Sequence, residues 1–475
     1  MKVVLFGAGG FYQAVKKNMP SQVEVVAFLD NNPRLQGSCL DGIRIMAPEE
    51  VHQTGYEKII LTSEKEREMK SQLLSLGVAK KDIWYWEFFL SEMNHGTLRL
   101  FCRNSAMVQT GKRILVISTY LDYNGGSVAA VHAAQALCSR GHAVALAVPD
   151  GNQAFIGETV EKGIPVVLCP ALPYVHEEEL LWIRQFDVVL VNVFQMIFSA
   201  CAVSRVRPVM WWIHEPGELY GKILDRFEGY DGMDFLKRVS PYAVSSIAQR
   251  NFHTCFPGRI EETLAYGIPD ERSGEEPYQQ SGPLVFAVIG PASERKGQDI
   301  FLEALEMLSP RDREKVQCWL IGNVWEDAYG RWIKDQVSHN AAVEFRGVLT
   351  REEMKSAYGK IDVVVCPSRE EPMSLATTEG MMHGKVCIVS DSTGMADYIT
   401  DGVNGLICRT RDVKELSEKL RWTVTNREKL REIGKEARLT YERHFSMESF
   451  GERLEKALQK TAEAYEKLSE SSAHV

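Results

Sequence analysis

At 475 residues the chain is too long for one ordinary domain, so two or three domains are expected. Its hydrophobic and charged fractions, 45% and 25%, are ordinary globular values, and a formal net charge of −9 argues against a general nucleic-acid binder. The ten cysteines lie scattered, mostly in apolar contexts and without a C-x-x-C pair, which predicts reduced core residues of a cytoplasmic protein. The first residues run straight into a strand pattern, so no signal peptide is expected.

The first predicted unit, residues 1–90, has the layout of a dinucleotide-binding domain. An apolar strand over residues 2–6 meets a glycine-rich turn, and a second strand ends at an acidic residue about 20 positions on, where it could bind a ribose. Tyr12 stands where that fingerprint has its third glycine, which puts binding of a nicotinamide dinucleotide in doubt. The candidate ligand residues of this unit are Gly7, Gly9, Gly10 and Asp30.

Two further segments of this unit, Asp30-Asn-Asn-Pro and Ile59-Ile-Leu-Thr-Ser, resemble the small Rossmann-like domain that precedes bacterial sugar acetyltransferases. The resemblance implies a nucleotide sugar as the ligand of the unit. A degenerate Rossmann unit that serves packing or dimerisation is the alternative, and the residues do not decide between the two.

A second α/β unit is predicted over residues 112–275, after a linker at 91–111. Its first strand leads through Gly125 and Gly126 into an Ala-rich helix, and paired glycines permit close backbone approach to a ligand at a helix N-terminus. A later strand ends at His214, at the sheet edge where site residues of parallel sheets lie. A structural turn and a structural histidine are the alternatives at these two places.

A third α/β unit is predicted over residues 276–445. Its first strand is followed by Arg295 and Lys296, directly before a helix, where a guanidinium fork and an ammonium charge could hold a diphosphate. An exposed Arg-Lys pair is otherwise a solvated surface. A later strand contains Arg346, and residues 446–475 have the apolar spacing of an amphipathic helix.

The most informative segment lies between two apolar strands of this third unit. The amides of Met373, Ser374 and Leu375 would open a helix, where free N–H groups and the helix dipole attract a phosphate. Glu371 precedes the helix and Glu379 lies just over one turn inside it, so both carboxylates can face one cleft. A ligand with phosphates in the middle and sugar hydroxyls at either end would satisfy every one of these groups.

This segment resembles the Glu-x7-Glu signature of family 4 retaining glycosyltransferases, which use nucleotide sugars. The likeness includes the Pro after Glu371 and the Gly-Met-Met after Glu379, and it covers roughly residues 112–465. It implies an α/β fold in which two Rossmann-like domains face each other across a cleft, termed GT-B, with an additional N-terminal Rossmann-like domain in front. The helix at 446–475 would then cross back onto the preceding domain.

The resemblance also implies a reaction and roles for the candidate residues. A hexose would move from a nucleoside-diphosphate sugar to an acceptor hydroxyl with retained anomeric configuration, in bacterial surface polysaccharide or glycoconjugate synthesis. Glu379 would bind the ribose hydroxyls and Glu371 a hydroxyl of the donor sugar. Arg295 and Lys296 would stabilise charge on the leaving diphosphate, and His214 would contact the sugar. The remaining donor-side residues would be Met373, Ser374, Leu375, Gly125, Gly126 and Arg346.

No Asp-x-Asp motif is present, so the reaction is expected to need no metal and no cofactor beyond the nucleotide-sugar donor. The acceptor would be a saccharide, a lipid-linked group or a protein, and no nucleic-acid partner is expected. Peripheral association with the inner membrane face and oligomerisation stay open. Two alternatives remain: a GT-B sugar epimerase, and a degenerate glycosyltransferase acting as a binding scaffold. The intact glutamate pair and the Arg-Lys pair argue against the scaffold.

Overall fold

The computed structural model describes residues 1–63, 65–103, 111–227, 233–260, 262–272 and 282–473. In these residues the strands form three mostly parallel sheets, each connected by helices and loops. This confirms the predicted α/β class, with a smaller unit in front of two larger ones.

The first unit carries a six-stranded sheet in which β1 lies between β2 and β5. All pairs are parallel except the short hairpin of β3 and β4. The order reverses at β1, so its carboxyl end is a topological switch point. The elements are β1 (Lys2–Phe6), α1 (Gly10–Val15), β2 (Glu24–Leu29), β3 (Cys39–Leu40), β4 (Ile43–Met46), β5 (Lys58–Leu61), α2 (Glu66–Ser75), β6 (Ile83–Tyr85) and α3 (Trp86–Met93).

The second unit carries a seven-stranded sheet in the order β13-β12-β11-β8-β9-β10-β7, parallel except for the edge pair of β10 and β7. Its strands are β7 (Arg99–Phe101), β8 (Arg113–Ile117), β9 (Ala143–Val148), β10 (Val166–Leu168), β11 (Val188–Asn192), β12 (Val209–Ile213) and β13 (Val239–Ala243). Its helices are α4 (Gly125–Ser139), α5 (Gln153–Glu161), α6 (Glu177–Ile183), α7 (Ile197–Val203), α8 (Tyr220–Phe227) and α9 (Ser246–Cys255).

The segment predicted as a linker, residues 91–111, is not structureless throughout. Helix α3 continues to Met93, and β7 lies inside the segment as an edge strand paired with β10. Its residues 104–110 lie outside the described residues. The boundary predicted between 275 and 276 likewise falls outside them, within 273–281.

The third unit carries a six-stranded, fully parallel sheet in the order β16-β15-β14-β17-β18-β19. Its strands are β14 (Leu284–Ile289), β15 (Val316–Ile321), β16 (Val343–Gly347), β17 (Val363–Cys366), β18 (Val386–Ser390) and β19 (Leu406–Cys408). The helices are α10 (Gln298–Glu306), α11 (Pro310–Arg313), α12 (Ala328–Ser338), α13 (Arg351–Tyr358), α14 (Leu375–Met382), α15 (Val413–Thr425), α16 (Leu430–His444) and α17 (Met447–Ala473).

The central strands of the two larger sheets are continuous apolar runs because both of their faces are covered. Every residue of β11, β12 and β17 is buried. Parallel strands with helices on both sheet faces have this pattern, in contrast to the alternation of a half-exposed sheet. The polar residues of such a sheet are displaced to the loops at the carboxyl ends of its strands, where the candidate site residues occur.

The last helix, α17, packs on the second unit after the chain has completed the third. Phe450 stacks on Trp212 with ring centroids 5.5 Å apart, and Glu455 accepts hydrogen bonds from Arg140 and His142 at 2.7 and 3.0 Å. This helix therefore ties the two larger units together. None of the described helices combines the length and the apolar character needed to cross a bilayer.

The first unit contacts the second through α8. Arg226 on α8 lies between Glu66 and Glu87 of the first unit and is 3.1 Å from the Glu87 carboxylate. Nearby, Phe88 packs edge-on against Tyr174 of the second unit, with ring centroids 5.0 Å apart. An arginine shared by two carboxylates and partly shielded from water holds this interface in one orientation.

We expect Arg226→Ala to loosen the first unit, because it leaves Glu66 and Glu87 facing each other without their shared cation. The loss should be roughly 1–3 kcal/mol, below the ~3–5 kcal/mol of a fully buried pair. The matched control is Arg67→Ala, since Arg67 pairs with Asp225 across the same interface but is 80% exposed. Urea unfolding and limited proteolysis should show early release of the first unit only for Arg226→Ala. Equal effects of the two variants would contradict this account.

Candidate active site

Two helix N-termini, those of α4 and α14, face each other across the cleft between the second and third sheets. A Cβ atom built on Gly125 would lie only 3.7 Å from Cδ1 of Leu375. The loop before α14 also touches the second unit directly, since Glu370 accepts hydrogen bonds from the Gly217 N–H at 2.8 Å and the Asn251 side chain at 2.7 Å. The cleft is therefore narrow, and its two walls carry the loops that follow β8 and β17.

The N-terminus of α14 keeps free hydrogen-bond donors. The Ser374 hydroxyl caps the helix by accepting from the Thr377 N–H at 3.2 Å. In the parts of the chain that the structure describes, no protein acceptor is recorded for the amide N–H groups of Met373, Ser374 and Leu375. Unsatisfied N–H groups and the positive end of the helix dipole together favour an anion at this point.

Glu371, Arg295 and Lys296 form one cluster at the carboxyl ends of the neighbouring strands β14 and β17. Nη1 of Arg295 donates to Oε2 of Glu371 at 3.1 Å and to the carbonyl oxygen of Glu370 at 3.0 Å. Nζ of Lys296 donates to the same Glu371 oxygen. Glu371 is only 6% exposed, so its charge depends on these two cations for compensation.

Two glycines allow the backbone to hold this cluster. Gly297 ends the Arg-Lys turn with a φ of 73°, and a Cβ there would lie 2.3 Å from the carbonyl oxygen of Pro367. Gly394 donates its N–H to the carbonyl oxygen of Glu371 at 2.9 Å. A Cβ at Gly394 would lie 2.0 Å from the Pro372 carbonyl oxygen, so the close approach excludes any side chain.

Glu379 lies on α14 and has its own partner. The Tyr358 hydroxyl donates to its Oε2 at 2.8 Å, and the Tyr358 ring stacks on His383 with centroids 4.7 Å apart. Burial raises the pKa of Glu379 above its usual range, although the hydrogen bond from Tyr358 acts in the opposite direction. The two glutamates of the predicted pair are thus held separately, one by cations and one by a phenol.

His214, the residue directly after β12, borders a cavity of about 440 Å³ that is lined also by Gly126, Val193, Gln195 and Glu215. His214 packs edge-on against a tryptophan ring, and its Nε2 has no hydrogen-bond partner among the described residues. Burial lowers the pKa of His214 to about 3, so the imidazole is neutral at physiological pH. It can therefore exchange hydrogen bonds with a ligand but carries no positive charge there.

Glu215, the next residue, also lines this cavity and connects the loops around it. Its carboxylate accepts the N–H of Phe194 at 2.6 Å and that of His214 at 2.9 Å. Burial raises the pKa of Glu215 to about 7, against the opposing effect of these backbone hydrogen bonds. Between β11 and Phe194, Val193 has φ 72° and ψ 151°, a conformation that side chains rarely adopt and that functional sites often contain. Glu215 joins the loops after β11 and β12.

Sequence reasoning missed Tyr358, Glu215 and Tyr266. Tyr266 is buried, and the charges of both Glu371 and Glu379 act on its hydroxyl. Burial, followed by the charge of Glu371, raises the pKa of Tyr266 well above its usual value. Tyr358 ends the amphipathic helix α13, Glu215 and Tyr266 lie in loops, and none of the three is part of a spaced motif. Only the position of Glu215 directly after His214 could have pointed to it.

Arg346 lies apart from the cluster of Glu371. It is on β16, the edge strand two places from β14, where it pairs with Glu344 at 3.1 Å. Its guanidinium stacks over the Trp319 ring at 4.7 Å. The structure therefore does not bring Arg346 into contact with Arg295 or Glu371, and it presents a cation on an aromatic surface at the edge of the sheet.

The candidate residues of the first unit meet at the switch point after β1. Asp30 accepts the Ala8 N–H at 2.8 Å, which ties the end of β2 to the glycine turn. Gly7 has a φ of 116°, and a Cβ there would lie 2.4 Å from the Thr62 carbonyl oxygen. A Cβ atom built on Gly9 or Gly10 would have no atom within 4 Å, so the turn is open on its outer side.

Comparison with protein families matches two parts of the chain. Residues 271–440 match the family described as "Glycosyl transferases group 1". Residues 1–84 match the family described as "C2185-like, N-terminal". The glycosyltransferase match spans β14 to α16, and with them the Arg-Lys turn, Glu371 and Glu379.

Curated relatives are similar over part of the chain. An uncharacterized glycosyltransferase of Methanocaldococcus jannaschii is 26% identical over 184 residues, which are 38% of this chain and 48% of that protein. An N,N'-diacetylbacillosaminyl-diphospho-undecaprenol alpha-1,3-N-acetylgalactosaminyltransferase of Campylobacter jejuni is 29% identical over 149 residues, 31% of this chain and 37% of that protein. The chain thus spans about half or less of the length of these relatives.

Among solved structures, HepE of Anabaena in complex with UDP-glucose superposes with a TM-score of 0.62 at 18% identity, covering 74% of this chain and 100% of that one. At this identity the likeness concerns the fold. Together with the family match, it shows that residues 271–440 form a glycosyl transferases group 1 domain within a chain of the GT-B fold.

Proposed function

We propose that this protein is a retaining glycosyltransferase that moves a hexose from a nucleoside-diphosphate sugar to an acceptor hydroxyl. The observation that carries the proposal is the cluster of Arg295, Lys296 and Glu371 beside the free amides that open α14. A retained anomeric configuration and a hexose as the transferred group rest on the resemblance of this segment to the Glu-x7-Glu signature.

The charges of the cluster suit a diphosphate. Arg295, Lys296 and Glu371 alone carry a net charge of about +1, and the exposed carboxylate of Glu218 lies 4.0 Å from Arg295 at the rim of the cluster. A diphosphate brings about two negative charges, so it competes with Glu371 for the cations. We propose that the donor takes over Lys296 while the Glu370 carbonyl keeps Arg295 in place, and that Glu371 then turns to a sugar hydroxyl.

The same cations would act in the chemical step. As the glycosidic bond breaks, the electron pair moves to the diphosphate oxygen, whose negative charge grows. We propose that Arg295, Lys296 and the free amides before α14 receive that charge, and the Glu370 carbonyl already holds Arg295 in place before a donor binds. Such preorganised donors stabilise the transition state more than the ground state. We accordingly propose that no divalent metal is needed for transfer.

The cavity beside His214 would take the sugar and the acceptor. It lies at the carboxyl ends of β8, β11 and β12, and a neutral imidazole can exchange hydrogen bonds with hydroxyls. The similar Campylobacter enzyme is named for an acceptor that carries diphospho-undecaprenol. We propose a saccharide or lipid-linked saccharide acceptor for this protein, in the synthesis of a surface polysaccharide or glycoconjugate.

We expect the protein to transfer the sugar in the presence of a chelator, with retention of the anomeric configuration. The full chain is incubated with panels of nucleoside-diphosphate hexoses and acceptors in EDTA, and the anomeric proton coupling of the product is read by NMR. A product with the anomeric configuration of the donor is expected. Inverted product, or activity that returns only with added magnesium or manganese, would contradict the proposal. Release of free nucleotide with no transferred sugar would favour the epimerase.

The second prediction concerns the ribose. Glu379→Ala should weaken donor binding by ~1–3 kcal/mol, because ribose hydroxyls lose a buried acceptor. Tyr358→Phe removes the phenol that holds this carboxylate and should have a smaller effect of the same kind. Exposed Glu352 on α13 provides the control, as Glu352→Ala. The measurement is donor affinity by calorimetry. Unchanged affinity in Glu379→Ala would remove this residue from the donor site.

The third prediction separates binding from chemistry. Arg295→Ala combined with Lys296→Ala should lower turnover by roughly 10²-fold or more, with a smaller rise in the donor Michaelis constant. The control is Arg311→Ala, an exposed arginine on the short helix α11. Circular dichroism first establishes that each variant is folded. If the turnover of the double variant stays within a few-fold of that of the parent, Arg295 and Lys296 have no role in the chemical step and are solvated surface residues.

A further inference from the structure

We propose that Glu92, His95 and His176 form a binding site for a late first-row divalent metal ion such as zinc. The three side chains come from both sides of the contact between the first and second units, and their ligand atoms lie within 4.8 Å of one another. The site shares no residue with the cluster around Glu371. The metal-site proposal can therefore be tested independently of the proposed transferase function.

The two imidazoles converge on one carboxylate oxygen. Nε2 of His176 lies 3.1 Å from Oε1 of Glu92, and Nε2 of His95 lies 3.5 Å from the same atom. The two rings lie close together, with centroids 4.0 Å apart and planes 35° from parallel. Each ring therefore directs the same type of nitrogen to one point.

These separations are those of metal ligands. Tetrahedral zinc has bonds of about 2.0–2.1 Å to imidazole nitrogen and about 2.0–2.2 Å to carboxylate oxygen, which places neighbouring ligand atoms about 3.3–3.5 Å apart. The observed 3.1 and 3.5 Å are close to this spacing, and the remaining ligand pair, the two imidazole nitrogens, lies within 4.8 Å. Two histidines and one glutamate with an open fourth position form a donor set that zinc accepts, whereas magnesium prefers oxygen ligands.

A second carboxylate orients one of the ligands. Oε2 of Glu179 lies 3.1 Å from Nδ1 of His95, the ring nitrogen opposite the one that faces Glu92. Glu179 is fully buried and is fixed by the N–H groups of Gly96 and His176 at 2.9 and 3.0 Å. A carboxylate that accepts from the far nitrogen of a ligating histidine fixes its tautomer and raises its basicity.

The local charge also favours a cation. A third carboxylate, that of Glu178, lies next to the site. One oxygen of Glu178, one oxygen of Glu179 and one ring nitrogen of His95 lie within 4.8 Å of one another. Three carboxylates therefore surround two imidazoles. Over the described ranges, neither Glu92 nor Glu179 forms an ion pair with a lysine or arginine. A bound divalent ion would compensate this negative charge.

The position of the site indicates a structural role. Glu92 lies on α3 and His95 in the turn after it, whereas His176 caps α6 of the second unit. The same contact includes a hydrogen bond from Ser91 to the carbonyl oxygen of Pro170. A metal held here would cross-link the last helix of the first unit to the second unit.

The test uses the full chain after treatment with a chelating resin. Zinc chloride is titrated in by calorimetry, and bound metal is counted by mass spectrometry after desalting. One zinc per chain is expected, together with a rise in melting temperature on zinc addition. Magnesium at the same concentration should not compete. Binding of less than one equivalent, or equal competition by magnesium, would overturn the proposal.

Variants locate the site. His95→Ala combined with His176→Ala should abolish the zinc-dependent rise, and Glu92→Gln should weaken zinc binding at least tenfold. Glu179→Gln keeps an acceptor for the N–H groups of Gly96 and His176 but removes the charge behind His95, and it should weaken zinc binding by about 10–100-fold. The control is His339→Ala, because His339 is a 76% exposed histidine on the third unit. Zinc binding by the double variant with the stoichiometry and affinity of the control would overturn the assignment, and circular dichroism verifies folding of each variant.

Discussion

The pairing of buried Glu371 with Arg295 and Lys296 is the interaction on which the proposed site depends. A carboxylate this shielded from water is tolerated only when its charge is compensated, so the two loops after β14 and β17 have to meet. The glycines that allow this meeting, Gly297 and Gly394, would clash with neighbouring backbone if either carried a side chain. The site is thus built into the packing of the third unit and does not rest on loops alone.

This arrangement follows from the order of the strands. β14 and β17 are direct neighbours in the third sheet, so the residues that follow them share one edge. The opposite wall obeys the same rule, since Gly125 follows β8 and His214 follows β12. Two helix N-termini therefore meet across the cleft, and their dipoles act on the same small volume.

The buried strands and the helix at the candidate site could be predicted from the sequence, because each has a pattern within a few consecutive residues. Apolar runs of four to six residues indicated the buried strands, and α14 ends at Met382, two residues before Gly384, whose φ of 68° suits the position after a helix. The partner of Glu379 could not be predicted in this way, because Tyr358 reaches it through a tertiary contact and a tyrosine at the end of an amphipathic helix looks like any core aromatic. The hydrogen bond from Phe194 to Glu215 is likewise a tertiary contact, and only the position of Glu215 beside His214 was visible in the sequence. The edge strand β7 was missed because three residues show no clear periodicity. The His95–His176 contact joins positions far apart in the chain, and no spacing rule connects them.

Among the described residues, the turn after β1 in the first unit and the turn before α14 in the third are both candidates to hold a phosphate. The most direct test of the central claim is a crystal structure of the full chain with a nucleoside diphosphate. The account predicts diphosphate oxygens within hydrogen-bond distance of Arg295 and Lys296, beside the Leu375 amide, with Lys296 released from Glu371. A diphosphate bound only at the Gly7 turn, with the pairing of Lys296 and Glu371 unchanged, would contradict it.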